Sequence, residues 1–112
     1  MPSCLTNTTE VVQVALHQEM DIHCAMKWQG GLKFRWVMVA RDLGQTVDFA
    51  SSQFEQKGAT STLRFSPRSS ADYGDLACLA IGAEGQSGMP CNYSIQPKGD
   101  KIKLCFIYSK TS

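Results

Sequence analysis

No stretch of this chain approaches the roughly 20 consecutive apolar residues that a membrane-spanning helix needs. Charge of neither sign is in excess, with 11 lysines and arginines against 10 acidic residues and a net charge of +1. There is therefore no basic surplus to draw in a phosphate backbone, and nucleic acid is not an expected partner. Histidine is scarce. His17 and His23 are the only two, neither stands beside an acidic cluster, and no metal site is expected. G-x-S-x-G, H-E-x-x-H and phosphate-loop patterns are missing. The glycines of Gly82–Gly88 precede no helix start, so they read as a hairpin and not as a nucleotide cradle. Asp72 and Asp75 sit at a strand entrance, where they serve a corner and not acid–base chemistry. No catalytic residue, cofactor or small-molecule substrate is expected, and the chain reads as a non-enzyme. No helix of length and no internal repeat is visible.

Cysteine, by contrast, is plentiful: five in 112 residues. None lies in a C-x-x-C pair, which argues against a zinc ribbon or a thioredoxin-like site. Cysteines far apart and embedded in alternating runs read as disulfides, hence an oxidising compartment. Two N-x-S/T acceptors, at Asn7 and Asn92, agree with that placement. Met1-Pro2-Ser3-Cys4 has neither the charged start nor the apolar stretch of a secretory leader. The expectation is a piece of a larger secreted or membrane-anchored protein, on the extracellular side of the plasma membrane. Membrane association would then come only through other parts of that protein.

The apolar pattern has period 2, the mark of half-buried strands. Val11–Leu16 alternates with Val12, Val14 and Leu16 toward a core. Met20–Met26 follows with Met20, Ile22, Cys24 and Met26 inward and His23 outward, a solvated surface histidine. Lys33–Val39 places Phe34, Trp36 and Met38 on one face and Lys33, Arg35, Val37 and Val39 on the other. Residues 41–56 are polar and hard to divide, with a short edge strand expected near Thr46–Phe49. Thr60–Ser66 turns Leu63 and Phe65 inward and ends at Pro67, which withholds a backbone donor. Asp75–Ile81 points Leu76, Cys78 and Ala80 inward, and Met89–Gln96 carries Cys91, Tyr93 and Ile95 on one face. Cys24, Trp36 and Cys78, in that order and each within such a run, are the signature of two sheets pinned through a shared core. The fold expected is all-β, an immunoglobulin-like two-sheet Greek-key sandwich of the I-set or C2 type. Residues 1–9 are expected to be irregular, 10–97 to form the domain, and 98–112 to be a linker or the truncated start of a following domain.

Cys24 and Cys78 should bond beside Trp36, with Leu76 also in the core. Leu76 stands where ordinary immunoglobulin domains carry the tyrosine of their tyrosine corner. Cys4 and Cys91 are the second expected pair, because first and last strands of such sandwiches can run side by side. The alternative is that Cys4 is free or pairs elsewhere. Cys105 is then left over, its partner expected in another part of the protein.

The segment DYGDLACLAIGAEGQSGMPCNYSI resembles the sixth strand, loop and seventh strand of immunoglobulin domains in the Sidestep family of cell-surface adhesion proteins. Asp72-Tyr73-Gly74, Leu76, Cys78, Gly82, Gly85, Pro90-Cys91 and Tyr93 fall on the family pattern. Phe34–Trp36 (FRW) and TSTLRFSP fit it as well, so the similarity runs from about Cys4 to Gln96. The resemblance implies an extra cysteine before the first strand bonded to the PC cysteine, which Cys4 and Cys91 match. It implies a role in axon or cell guidance by binding another cell-surface or extracellular protein. Leu79 stands where the family usually has tryptophan, and Ile81-Gly82-Ala83 replaces an asparagine-containing loop.

With no chemistry to absorb them, the outward residues of the third and sixth strands become the candidate site. Val37, Val39, Ala77, Leu79 and Ile81 share that face, bordered by Lys33, Arg35 and Asp75. Outward positions on a solvated sheet are normally polar, so an aliphatic group there reads as a protein-binding patch. The bland alternative is that a neighbouring domain or loop covers it. Asn92 points outward on the same sheet, where a glycan would crowd or frame the patch. A structural spacer domain, or an immune-type receptor domain binding through loops such as Gly82–Gly88, are the competing functions.

Overall fold

The computed structural model describes residues 1–40 and 44–98. Nine strands follow in order: β1 (Ser3–Cys4), β2 (Glu10–Val14), β3 (Met20–Lys27), β4 (Leu32–Ala40), β5 (Thr46–Asp48), β6 (Phe54–Lys57), β7 (Thr60–Phe65), β8 (Gly74–Gly82) and β9 (Cys91–Pro97). They form a four-stranded sheet, β1-β3-β7-β6, and a five-stranded sheet, β2-β9-β8-β4-β5. Two single-turn helices, Ser51–Gln53 and Ser70–Asp72, round off the connections. The all-β two-sheet sandwich expected from the alternation is the fold.

The core lies between the sheets and is built from the inward half of each strand. Val12, Val14, Ile22, Met26, Phe34, Met38, Leu63, Phe65, Leu76 and Ile95 are all buried there. At its centre Cys24 of β3 bonds Cys78 of β8. Trp36 is fully buried, its ring 5.9 Å from that of Tyr93 in a stacked arrangement. The core's central polar groups are paired. The Trp36 Nε1–H donates to Ser61 Oγ at 3.0 Å, and the Ser61 hydroxyl donates onward to the Glu55 carbonyl at 2.8 Å. The Tyr93 hydroxyl donates to the His23 carbonyl at 2.7 Å. Burial, and secondarily the charge of Glu10, push the Tyr93 phenol up to about 12.

Several expectations need correction or extension. Residues 1–9 are not wholly irregular, since Ser3–Cys4 pairs antiparallel with Met26–Lys27 of β3. After Thr9 the chain changes sheets, and β2 runs parallel to β9. The Cys4–Cys91 bond therefore joins strands assigned to different sheets, at an edge where Cys4 N–H also donates to the Met89 carbonyl and Gly88 N–H to the Pro2 carbonyl. Leu16 is 51% exposed and not in the core. The strand ends at Val14, and His17 adopts a left-handed φ of 67° in a turn closed by Gln18 N–H to the Ala15 carbonyl, which rotates Leu16 outward. No tyrosine stands at position 76, and Tyr73 makes a different tie, its hydroxyl donating to the Val14 carbonyl at the end of β2 at 2.8 Å. Finally, β6 was not anticipated. The expected linker, with Cys105, lies outside the described residues from residue 99 onward.

Candidate functional site

The outer face of the five-stranded sheet is set by register. Along β4 and β8 the opposed pairs are Lys33 with Ile81, Arg35 with Leu79, Val37 with Ala77 and Val39 with Asp75. Opposed residues share a face, so the aliphatics do not form a round cluster. They run as a diagonal stripe, from Val39 and Val37 on β4, through Ala77, to Leu79 and Ile81 on β8. At about 3.3 Å per residue, the six steps from Asp75, opposite Val39, to Ile81 give the stripe a length of roughly 20 Å. Val39 is 41% exposed and Ile81 39%, while Val37, Ala77 and Leu79 are half-buried. Lys33 and Arg35 fill one flank and Asp75 the other, each exposed.

Arg35 is paired on this face with Asp48. Its Nε donates to Asp48 Oδ1 at 2.7 Å and its Nη2 to Oδ2 at 3.0 Å, a two-pronged pair that fixes the guanidinium plane. The hydrogen bond chiefly holds the Asp48 carboxyl below its ordinary range and raises the Arg35 guanidinium. The pair is solvent-exposed, so its value to stability is small. Its use is to present a planar cation in one orientation. Asp48 was missed in the sequence because its relation to Arg35 depends on β5 pairing with Val37–Val39.

Below the cations the face is hollowed. An open depression of about 440 Å³ is lined by Thr9, Val37, Val39, Asp75, Ala77 and Asn92. Asn92 lies directly opposite Ala77 in the β8–β9 ladder and is exposed. Asn7, the other acceptor asparagine, is also exposed, in the stretch between β1 and β2. Val11, 57% exposed and opposite Ser94, extends the apolar character to the edge of the sheet.

The other outer face is the internal comparison. On the four-stranded sheet the outward residues Asp21, His23, Thr60, Thr62, Arg64, Glu55 and Lys57 are polar, with half-buried Ala25 and, at the sheet's edge, exposed Leu5 as the apolar exceptions. His23 Nδ1 lies 3.0 Å from Thr62 Oγ1 in an ordinary surface contact. Among the described residues no group of three or more histidine, cysteine or acidic side chains is gathered where it could hold a metal ion. Gly82–Gly88 closes β8 to β9 as a tight hairpin. Gly82 N–H donates to the Gln86 carbonyl, Gly85 has φ 85°, and Glu84 N–H is capped by the Gln86 side chain. Such a loop is internally satisfied.

No protein-family model matches the chain, and no curated protein matches it. Solved structures do. The titin I-band fragment I67–I69 is 19% identical with a TM-score of 0.64, over 86% of this chain and 32% of that one. The BTLA ectodomain is 12% identical with a TM-score of 0.61, over 88% of this chain and 99% of that one. The RIG-5 IG1 homodimer gives 12% and 0.61, over 88% and 98%. The chain spans about a third of the length of the titin fragment. At these identities the similarity shows the fold, an immunoglobulin-like domain.

Proposed function

We propose that this domain is an extracellular recognition module of a cell-surface adhesion or guidance receptor, binding another ectodomain through the outer face of its five-stranded sheet. The observation that carries this reading is the asymmetry between the two outer faces. One is mostly polar, its apolar residues confined to Ala25 and Leu5 at one edge, and the other exposes a diagonal of aliphatics between a flank of Lys33 and Arg35 and a flank of Asp75. An apolar centre with a charged rim is how protein interfaces are composed. Val37, Val39, Leu79 and Ile81 are its apolar contacts, and Arg35, held by Asp48, its orienting cation. Two disulfides support an oxidising environment and hence an extracellular setting. The similar folds include an ectodomain, that of BTLA, and a homodimer, that of RIG-5 IG1. The resemblance of Asp72–Ile95 to Sidestep-family domains favours guidance or adhesion as the setting.

The test is an ectodomain interaction screen that includes the chain itself as a partner, repeated with Val39→Asp plus Ile81→Asp. Both positions are solvent-exposed, so the fold should survive. Binding should fall at least tenfold with an unchanged melting temperature. If binding persists, and is lost instead on replacing Ala83–Ser87, loop recognition of the immune-receptor kind holds. If no ectodomain binds, the domain is a spacer.

A further inference from the structure

Asn92 occupies an unusual position for an acceptor of N-linked sugar. It sits within a strand paired on both sides, to β2 in parallel and to β8 in antiparallel register. Cys91 before it is bonded to Cys4, and the Tyr93 ring after it is buried against Trp36 with its hydroxyl on the His23 carbonyl. The Asn92 side chain nevertheless faces outward into the depression lined by Thr9, Val37, Val39 and Ala77. Asn7 lies outside any strand in an exposed stretch and has none of these constraints.

We propose that Asn92 is a glycosylation site modified only before β9 docks, and that its first sugars lie in the aliphatic depression, so that the pace of folding sets how much of the face stays open. The masking half rests on reading that face as the recognition surface. In the transfer, Asn92 Nδ2 attacks the anomeric carbon of a lipid-pyrophosphate-linked oligosaccharide. An N–C bond forms, the C–O bond to the pyrophosphate breaks, the amide proton passes to a base of the transferase, and the lipid pyrophosphate leaves. A transferase must draw the three acceptor residues out into its own active site. The folded chain forbids that, because Asn92 is held in the β8 ladder, Tyr93 and Ser94 are held in two ladders, and Tyr93 is locked into the core. Once Cys4 and Cys91 are joined and β9 is seated, the window closes. On an occupied chain, the first N-acetylglucosamine has C–H faces and an acetyl methyl suited to Val37, Val39 and Ala77, while its hydroxyls reach water.

The full chain, secreted from eukaryotic cells behind a leader, is analysed by intact mass and peptide mapping as wild type, Cys4→Ser plus Cys91→Ser, and Tyr93→Phe. The last variant keeps the acceptor sequence and the disulfide but weakens docking of β9, so the test survives if the double variant is not secreted. Partial occupancy of Asn92 is expected in the wild type, rising at least twofold in either variant, with Asn7 occupancy unchanged. Nuclear Overhauser contacts should link the first sugar to the Val37 and Val39 methyls in the occupied fraction. No modification in any form overturns the site. Full occupancy in the wild type, or occupancy unmoved by both variants, overturns the competition. Occupied chains without the methyl contacts overturn the masking. If the contacts are present and a partner still binds the occupied fraction, the recognition face is wrong while the sugar assignment stands.

Discussion

Ser61 shows how a single buried hydroxyl decides what a tryptophan can do. Trp36 has no exposure, and its indole N–H has no route to water. Ser61, itself buried, accepts from it and donates to Glu55 of β6. Ser61→Ala leaves both a donor and an acceptor unpaired, which costs about 1–3 kcal/mol. Urea unfolding should show a lower midpoint with an unchanged slope. Tyr93 makes a second residue-level case, in pH. Its phenol is pushed up to about 12 in the folded chain against about 10 unfolded. Below pH 10 both states are protonated and the stabilisation is complete. Between pH 10 and 12 the unfolded chain binds fewer protons than the folded one, so stability falls as pH rises. Burial and Asp72 raise Tyr73 as well, in the same direction. The alkaline unfolding midpoint should therefore become less steep in pH on Tyr93→Phe, measured by denaturant titration at pH 9 and pH 11.

Among elements, the turn after β2 and the entrance to β9 carry the sharpest backbone constraints. His17 has a left-handed φ of 67° while its N–H donates to the Pro67 carbonyl at 2.7 Å. A β-branched residue tolerates that conformation poorly, so His17→Val should destabilise the domain by about 1–2 kcal/mol. His17→Gly should not, and thermal melts of the two variants distinguish them. At Gly88, a Cβ would fall 2.7 Å from the Pro2 carbonyl oxygen and against the Ser3 hydroxyl. Gly88→Ala should displace β1, read as faster amide exchange at Cys4 and Leu5, which donate to Met89 and Ala25. Alternation made β3, β4, β7, β8 and β9 legible to within a residue or two, because each is long and turns one half of its residues inward. Strand β6 was not, since Phe54 is its only partly buried residue. Its place comes from pairing with Thr60–Leu63 and from the Ser61 bond, not from its own pattern. Strand β1, two residues long, has no period to read. The aliphatic phases of the candidate face were legible for the same reason as the core. The Arg35–Asp48 pair was not, because it needs a register across two strands.

For the whole molecule, two sheets are joined twice. The Cys24–Cys78 bond closes a span of 54 residues and Cys4–Cys91 one of 87. In the chain-entropy view a loop of the first size contributes about 4 kcal/mol, a large share of the roughly 5–15 kcal/mol of a typical domain. Cys24→Ala plus Cys78→Ala should bring the chain to the edge of folding at 37 °C, as a melting curve will show. With the sheets fixed, the two outer faces are free to diverge. One is mostly polar, and the other carries a diagonal of aliphatics, a cation paired with Asp48 and an acceptor asparagine. The most direct test of that division is a methyl chemical-shift map of the domain with a bound ectodomain. Shifts centred on Val37, Val39, Leu79 and Ile81, with Thr60 and Thr62 unmoved, are expected. Shifts confined to Ala83–Ser87 or to the four-stranded face would contradict it.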